Sequence, residues 1–238
     1  MRSRRWLGLR PVATQAEVEQ VRRALNAIAA AAEADWQSVW DSLRSSDRVM
    51  VNRALLNGWS WVLERYGNMS ATLAADFFEV QAAELNLARP RTVMAAAVNE
   101  RQATARLGWA LSTPDQSGNL SVLLDELVKQ PYRDTLANSA SASGAGFARV
   151  PSGSETCAFC LMLASRGAVY RSAKTAGDGH RYHGKCDCVP TLVRDERDYP
   201  KGYDPDAMYD AYSTARREAG SGDPGKILAE LRRQQGTN

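Results

Sequence analysis

Four cysteines and two histidines cluster in the second half of the chain, where they could bind a metal ion. They are Cys157, Cys160, His180, His183, Cys186 and Cys188, and the chain holds no other cysteine or histidine. After His180 is set aside, their spacing reads C-x2-C, then 22 residues, then H-x2-C-x-C. A C-x2-C pair places two thiolates on one turn, and Zn²⁺ takes four sulfur or nitrogen ligands in a tetrahedron. We therefore predict that the first pair binds a metal with ligands drawn from His183, Cys186 and Cys188.

The sequence leaves the chemistry of this cluster open between three states. Five candidates compete for four positions, and Cys186 and Cys188 are closer in sequence than the usual second zinc-binding pair. Segment 150–194 is short and poor in apolar residues, so burial alone would not hold it folded. A metal ion or two disulfides would supply the missing stability. We expect structural Zn²⁺ in a reducing cytosol; disulfides in a mature extracellular particle, or free thiols, are the alternatives.

The same residues could in principle belong to an enzyme. Only His180 and His183 could act as an imidazole base, and the nearby serines lack a nucleophile-elbow pattern. A cysteine nucleophile with a histidine base is conceivable. If four cysteines bound zinc, Asp178-Gly179-His180 and His183 would be free, as in an HNH-type nuclease that activates water beside a second metal. No complete catalytic set is visible, so the pattern favours a structural site over an enzyme.

The elements that precede the cysteines are predicted to be helices, because their apolar residues recur at steps of three or four. Thr14 and Glu17 form a capping box that begins the first helix, which Ser45-Ser46-Asp47 separates from the second. The pattern predicts further helices at 51–66, ended by Gly67-Asn68, at 70–85, at 92–111 and at 119–129, before Pro131. All six tryptophans precede position 110, and core packing or helix contacts are their expected role.

The composition divides the chain into five predicted regions. They are a basic arm at 1–13, a helical domain at 14–137, a Ser/Gly-rich linker at 138–153, a Cys/His-rich module at 154–194 and an acidic, partly helical tail at 195–238. In the tail, helices are expected at 207–217 and over the sequence ILAELRRQQ. The predicted fold class is mainly α, with an N-terminal helical domain followed by a small α+β module that zinc stabilises.

The charge of the chain is small overall and unevenly spread. The net charge is +3, but residues 1–23 hold six arginines against two glutamates, and residues 148–194 hold seven basic against three acidic groups. Each segment could contact nucleic acid or an acidic protein surface. No apolar run approaches the roughly 20 residues of a membrane span. We expect a protein of the cytosol or of an assembly compartment, with no membrane anchor and no secretory signal.

Residues 148–190 resemble the phage Mu F-like minor head proteins, in the version found in tailed phages of actinobacteria. The features that carry the resemblance are Arg149-Val150-Pro151, Cys157-Ala158-Phe159-Cys160, Leu163-Ala164-Ser165-Arg166-Gly167 with Tyr170, and His183 before Cys186-Asp187-Cys188. The match covers about a fifth of the chain closely, and the helical remainder agrees only in layout.

This resemblance implies a minor capsid or head-morphogenesis protein that binds the portal protein or the inner capsid shell during prohead assembly. The implied partners are the portal protein and the major capsid protein. The charge of the basic arm, independently of the resemblance, makes DNA a further candidate partner. The implied location is the virion, at the capsid interior or portal vertex, and the host cytoplasm during assembly. Such proteins are also often labelled capsid maturation proteases, which makes that activity the alternative.

Overall fold

The helices form mostly where the sequence places caps and apolar stripes. The computed structural model of the protein describes residues 12–43, 48–153, 156–169, 182–194 and 196–236. Within these ranges lie seven α-helices and one two-stranded sheet: α1 (Gln15–Ser42), α2 (Arg48–Glu84), α3 (Glu100–Leu111), α4 (Gln116–Ala142), β1 (Gly146–Pro151), α5 (Ala158–Ala164), β2 (Cys188–Val193), α6 (Pro205–Glu218) and α7 (Pro224–Gln235). The predicted fold class, mainly α with a small α+β module, is confirmed.

Helix α1 begins at the predicted capping box. The Thr14 hydroxyl accepts from the Glu17 N–H at 3.2 Å, and the Glu17 carboxylate accepts from the Thr14 N–H at 2.7 Å. Val12 and Ala13, the last residues of the predicted basic arm, are buried in the core. The remainder of that arm, residues 1–11, lies outside the described residues.

Helix α2 unites two helices that the sequence predicts to be separate. Gly67 is buried inside the helix, where an added Cβ would lie 3.3 Å from the Pro131 side chain of α4. The Ser70 hydroxyl donates to the backbone oxygens of Gly67 and Val128, at 2.9 and 2.6 Å. The prediction that the helix ends at Gly67-Asn68 is wrong, because this glycine permits a close approach of α4 and does not cap a helix.

Helix α3 begins at Glu100, eight residues later than predicted, because the preceding segment lies extended along α4. Three backbone N–H groups donate to hydroxyls of α4 and of its C-cap residue, Ser143: Ala95 to Thr135 at 2.9 Å, Val93 to Ser139 at 2.8 Å and Arg91 to Ser143 at 2.9 Å. The donors recur every second residue of an extended segment, an advance of about 6.6 Å. The acceptors recur every fourth residue along the helix, an advance of about 6.0 Å, so the spacing of the donors matches that of the acceptors. We call these three bonds the hydroxyl ladder.

Helix α4 continues through Pro131, so the predicted end near Lys129 is wrong. A proline inside a helix costs about 3 kcal/mol or more, because it removes one backbone hydrogen bond and crowds the preceding turn. Burial of most of the helix after Leu120 offsets this cost, since α4 packs against α1, α2 and α3. The predicted linker at 138–153 is also wrong in its local structure. It forms the end of α4, a turn at Gly144 and strand β1.

The two strands complete the main core. They pair antiparallel from Gly146 opposite Val193 to Pro151 opposite Cys188, and β2 is buried along its whole length. Their side chains join residues of α1, α2 and α4 in one apolar cluster that includes Val18, Phe78, Tyr132, Phe147 and Leu192. The helical region and the Cys/His-rich module therefore share a core, and their division into separate domains stays a prediction.

A second core lies among the helices and contains two of the tryptophans. The ring centroids of Trp36 and Trp59 are 4.9 Å apart, and the Trp59 ring N–H donates to the backbone oxygen of Ala103. The expected packing role is confirmed for these two. Trp40 is partly buried against the same core, whereas Trp61 and Trp109 are exposed. The remaining tryptophan, Trp6, lies outside the described ranges.

The two C-terminal helices pack on the module. Asp204 caps α6 and Asp223 caps α7, each through a side-chain oxygen that accepts a backbone N–H. Both helices lie against α5 in a small apolar cluster. The two helices predicted for the tail are thus confirmed. In the part of the chain that the structure describes, no helix combines the length and apolarity that crossing a bilayer requires.

Candidate metal centre

The first cysteine pair lies at the start of α5. Cys157 is the N-cap residue, and its sulfur accepts from the Cys160 N–H at 3.3 Å. Sulfur takes here the capping position that a serine or aspartate oxygen usually occupies. The C-x2-C spacing therefore folds as a capped first helical turn, with Cys160 buried and Cys157 half-buried.

His183 and Cys186 form a second pair, and they lie on a tight turn made by residues 183–186. The Cys186 N–H donates to the backbone oxygen of His183 at 3.3 Å, and Lys185 adopts a φ of 60°. His183 and Cys186 are separated by two residues, as are Cys157 and Cys160. The two pairs are thus presented by two turns of similar length.

Helix α4 supports this second turn. The Lys185 N–H donates to the Asp125 carboxylate at 2.6 Å. Gly184 lies so close to the helix that an added Cβ would come within 2.4 Å of the backbone oxygen of Val122. The turn therefore needs glycine at this position and is held by the helix as well as by the cluster.

The structure brings the five predicted residues together. The His183 Nε2 atom lies 3.1 Å from the Cys157 sulfur and 3.4 Å from the Cys160 sulfur, and the sulfurs of Cys160 and Cys186 are 3.3 Å apart. The Cys188 sulfur lies within 4.8 Å of those of Cys160 and Cys186. In a tetrahedral zinc site with bonds of about 2.3 Å, the sulfurs are about 3.8 Å apart. The cluster could therefore hold a metal ion.

All four cysteines are free thiols in this structure. The 3.3 Å between the sulfurs of Cys160 and Cys186 is well beyond a disulfide bond, which measures about 2.05 Å. The geometry thus fits the metal alternative better than the disulfide alternative. His183 Nδ1 faces the Gly184 backbone oxygen at 2.7 Å, which leaves Nε2 directed at the sulfurs. An oriented second nitrogen of this kind is typical of metal-binding histidines.

The electrostatics divide the four cysteines into two pairs. Hydrogen bonds with Cys157 and Cys186 raise the pKa of Cys160, and the pKa of Cys188, despite the lowering effect of Cys160, is raised by its hydrogen bond with Cys186 and by burial. The pKa values of Cys157 and Cys186 are lowered. Hydrogen bonds from Cys160 and then His183 lower the pKa of Cys157 to about 4. The same contact with Cys157 raises the pKa of His183 to about 9. Hydrogen bonds from Cys160 and Cys188 hold the pKa of Cys186 well below its usual range, and the charges of nearby arginines contribute.

Two residues that help to build the site were not predicted to do so: Asp125, which is far from the motif in sequence, and Asp187, which lies within it and whose carboxylate is within 4.8 Å of the sulfurs of Cys160, Cys186 and Cys188. Asp125 belongs to α4 and precedes the second turn by about 60 residues. Asp187 joins the module to the end of β1, since its backbone oxygen accepts from the Ser152 hydroxyl and its carboxylate from the Gly153 N–H. A pattern of side-chain types could not have identified these contacts, because they arise only when distant elements pack together.

The described residues test some of the enzyme hypotheses and leave the nuclease hypothesis untested. The nuclease hypothesis depends on Asp178-Gly179-His180, which lies outside the described residues, as do Ser154, Tyr170 and Ser172. Among the described residues, His183 faces two sulfurs and no serine hydroxyl. The contacts of His183 with the sulfurs of Cys157 and Cys160 are features that a cysteine nucleophile would share, and the one with Cys157 is the shorter.

The chain is similar in sequence to one protein family and to one curated phage protein. A family model described as VG15 protein matches residues 12–215, which include all five residues of the cluster. The chain is also similar to the Gene 15 protein of Mycobacterium phage L5, with 27% identity over 58% of this chain and 64% of that protein. The chain thus spans less than two thirds of that relative. No solved structure gives a significant match. Neither description names a Mu F-like protein, so that finer assignment stays a prediction.

Proposed function

The chain belongs to the VG15 protein family, and on this premise we propose that it is a minor structural protein of a phage head. The observation that carries the proposal is the family match over residues 12–215 together with the relative in a mycobacterial phage. In this role the protein binds the portal protein or the inner surface of the shell during prohead assembly. It then resides in the virion, at the capsid interior or the portal vertex, after assembly in the host cytoplasm.

Exposed apolar side chains on the helices support a docking role. Trp61 on α2 and Trp109 on α3 are 47% and 57% exposed, and Met94 between these helices is 54% exposed. Exposed aromatic and methionine side chains are enriched where proteins bind one another. The portal protein and the major capsid protein are the partners we propose for these exposed side chains. The arginines of the basic arm are the groups that would contact packaged DNA, through its phosphates.

Mass spectrometry of purified particles tests this role. We expect a few copies of the chain per particle and crosslinks between its helices and the portal protein. Replacing Trp61 and Trp109 by alanine should reduce incorporation, whereas replacing the equally exposed Tyr209 on α6 should not. Particles that assemble and package DNA normally without the chain inside them would contradict the proposal.

We further propose that the cluster binds one structural Zn²⁺ through Cys157, Cys160, His183 and Cys186. The three short contacts described above connect these four donors in an unbroken series. Sulfur and imidazole together suit Zn²⁺ better than Mg²⁺ or Ca²⁺, which prefer oxygen. In this arrangement Cys188, the first residue of β2, lies beside the ion as a buried thiol.

Metal analysis of the full chain tests the zinc site. We expect one zinc per chain in the wild type, its loss in Cys186→Ala, and its retention in Cys188→Ala. Both substitutions remove a buried thiol, so each is the control for the other. Loss of zinc in Cys188→Ala but not in Cys186→Ala would show that the assignment of the fourth ligand is wrong.

A maturation protease is the second candidate, and the contact between Cys157 and His183 is the observation that favours it. Coexpression with the major capsid protein distinguishes the two functions. A protease would trim the capsid protein, and Cys157→Ala would abolish trimming while particles still assembled. A structural protein would leave the capsid protein intact in both cases.

A further inference from the structure

Helix α6 carries two tyrosines and two arginines on a face that lies apart from its buried side. On the buried side, Met208, Ala211 and Ala215 pack with α5 and α7 in the small apolar cluster. Residues at steps of three or four along a helix share one face. The second face is formed in this way by Tyr209, Tyr212, Ser213, Arg216 and Arg217. Tyr209 is 56% exposed, and its ring centroid is 6.4 Å from that of Tyr212.

This face lines a groove together with the turn that follows the helix, residues 220–222. The volume of the groove is about 520 Å³, within the range of ligand-binding pockets. The described residues that line it include no carboxylate. Their side chains offer two guanidinium groups and the hydroxyls of two tyrosines and two serines, Ser213 and Ser221. Positive charge and hydroxyl donors in one groove suit an anionic ligand.

The two arginines are available to such a ligand. Arg216 and Arg217 are both exposed, and neither has an ion-pair partner among the residues that the structure describes. Glu218, the next residue in sequence, is held by α7, because its carboxylate accepts from Gln234 Nε2 at 2.9 Å and from Arg233 at 3.3 Å. Arginines in the last turn of a helix complement its dipole. The dipole accounts for their charge but not for the two tyrosines beside them in the groove.

The donors of the groove are those that bind the backbone of DNA. In protein–DNA complexes, phosphate oxygens accept hydrogen bonds from arginine, serine and tyrosine side chains and from backbone N–H groups. The planar guanidinium group of arginine can bind two phosphate oxygens at once. Such contacts fix the position of a protein on the duplex but do not depend on the base sequence.

We propose that the groove of α6 binds the sugar–phosphate backbone of duplex DNA. Arg216 and Arg217 contact the phosphates, and the hydroxyls of Tyr209 and Ser213 are further donors. This site is separate from the basic arm. The proposal rests on the proposed function only for the source of the DNA, which is the genome that a phage head encloses.

The salt dependence of duplex binding by the full chain tests the two arginines. Each phosphate that a protein neutralises contributes about 0.9 to the slope of log K against log salt concentration. The double variant Arg216→Gln/Arg217→Gln should therefore lower the magnitude of this slope by about 2. It should also weaken binding equally for two duplexes of unrelated sequence. Fluorescence anisotropy of a labelled duplex, titrated at several salt concentrations, measures both quantities.

The control is Arg89→Gln/Arg91→Gln, which removes the same charge from two exposed positions outside the groove. Its slope should equal that of the wild type. Equal losses of slope in the two double variants would overturn the inference, because the overall charge of the chain and not the groove would then account for binding.

Substitutions of Tyr209 test how the groove contacts its ligand. Tyr209→Phe removes the hydroxyl and keeps the ring, so it should weaken duplex binding by about 2- to 10-fold, the usual effect of losing one hydrogen bond. Tyr209→Ala should cost no more than that. An aromatic ring that stacks on bases binds an unpaired strand. If Tyr209→Phe bound as the wild type does and Tyr209→Ala lost only single-strand binding, the assignment to the duplex backbone would be wrong.

Competition with inorganic phosphate separates DNA from a free anion. At constant ionic strength, millimolar phosphate should leave the labelled duplex bound, and its displacement would overturn the inference. An Arg216→Gln/Arg217→Gln chain that binds the duplex with the affinity and slope of the wild type would also overturn it, yet leave the proposed function intact. Absence of the chain from purified particles would instead contradict the proposed function, so the two failures are distinguishable.

Discussion

At the scale of single residues, the site depends on a glycine that the ligand pattern does not reveal. Gly184 lies between two proposed ligands, and a Cβ there would meet the backbone oxygen of Val122 at 2.4 Å. Backbone cannot move aside as a flexible side chain can. We expect Gly184→Ala to lower the free energy of unfolding of the zinc-loaded protein by about 1–3 kcal/mol, as overpacking usually does. Urea denaturation measures the change.

The control for this substitution is Gly108→Ala. Gly108 lies inside α3, where an added Cβ would meet no atom within 4 Å. Alanine is the better helix former by about 0.5–1 kcal/mol, so this variant should be slightly more stable than the wild type. Equal effects from the two substitutions would show that the close approach of the turn to α4 is not what Gly184 provides.

The clustering of the four cysteines with His183 was predictable from the sequence, but its surroundings were not. Side-chain type and spacing were enough to predict that Cys157, Cys160, His183, Cys186 and Cys188 lie together, because the C-x2-C pair and its partners follow a chemical rule. Asp125 lies on α4, and nothing near it in sequence relates it to the cysteines. Its role follows from tertiary packing, which a local pattern cannot encode.

At the scale of elements, the hydroxyl ladder explains why an alanine-rich segment is not helical. Residues 91–95 satisfy alternate backbone N–H groups with hydroxyls of α4 and of its C-cap residue. Ser139 provides the middle bond and is fully buried. Ser139→Ala leaves the Val93 N–H without its acceptor, so we expect a loss of about 1–3 kcal/mol in the free energy of unfolding. Thermal and urea denaturation measure it.

Ser143→Ala serves as the matched control for the ladder. Its hydroxyl makes the same kind of bond, to the Arg91 N–H, but at an exposed position where water can replace it. A surface substitution of this kind is expected to change stability by no more than about 0.5 kcal/mol. If Ser139→Ala and Ser143→Ala lowered the free energy of unfolding equally, burial would not be what makes one of these hydrogen bonds more stabilising than the other.

The start of α1 provides a second prediction about an element. Thr14 and Glu17 satisfy two backbone N–H groups that the helix itself cannot. We expect Thr14→Ala to destabilise the protein by about 1 kcal/mol, the usual loss for an N-cap threonine. Thr72→Ala is the comparison, because the Thr72 hydroxyl bonds only to its own helix, at Asn68. It should be nearly neutral in the same denaturation experiment.

Helix boundaries were predictable where tertiary packing does not override the local signals. The capping box identified where α1 begins, whereas α6 and α7 begin two and three residues before the predicted 207 and 227, at prolines that follow the caps Asp204 and Asp223. Gly67 and Pro131 signal helix ends by local propensity, yet each lies inside a helix and they face one another across α2 and α4. Tertiary burial there outweighs a local cost of a few kcal/mol. The missed helix ends are therefore places where two elements approach closely.

At the scale of the whole molecule, the Ser/Gly-rich stretch connects regions that share a core. Its small residues suit a tight turn after α4 and a buried strand as well as they suit a linker. Phe147 of that strand packs in the same cluster as Phe78 of α2 and Leu192 of β2. A chain folded in this way should unfold as a unit while its metal is bound, because loss of the sheet removes part of the core of the helices.

The distribution of residue types provides two independent probes of that cooperativity. Every tryptophan precedes residue 110 and every cysteine follows residue 156, so tryptophan fluorescence reports on the helices and thiol reactivity on the module. We expect the two thermal midpoints to coincide in the zinc-loaded full chain.

At a free Zn²⁺ concentration 100 times Kd, binding adds about 2.7 kcal/mol to the free energy of unfolding. Chelation should remove this contribution and expose the thiols at a lower temperature than the tryptophans. Separate midpoints with zinc bound would mean that the shared core does not make helices and module one cooperative unit.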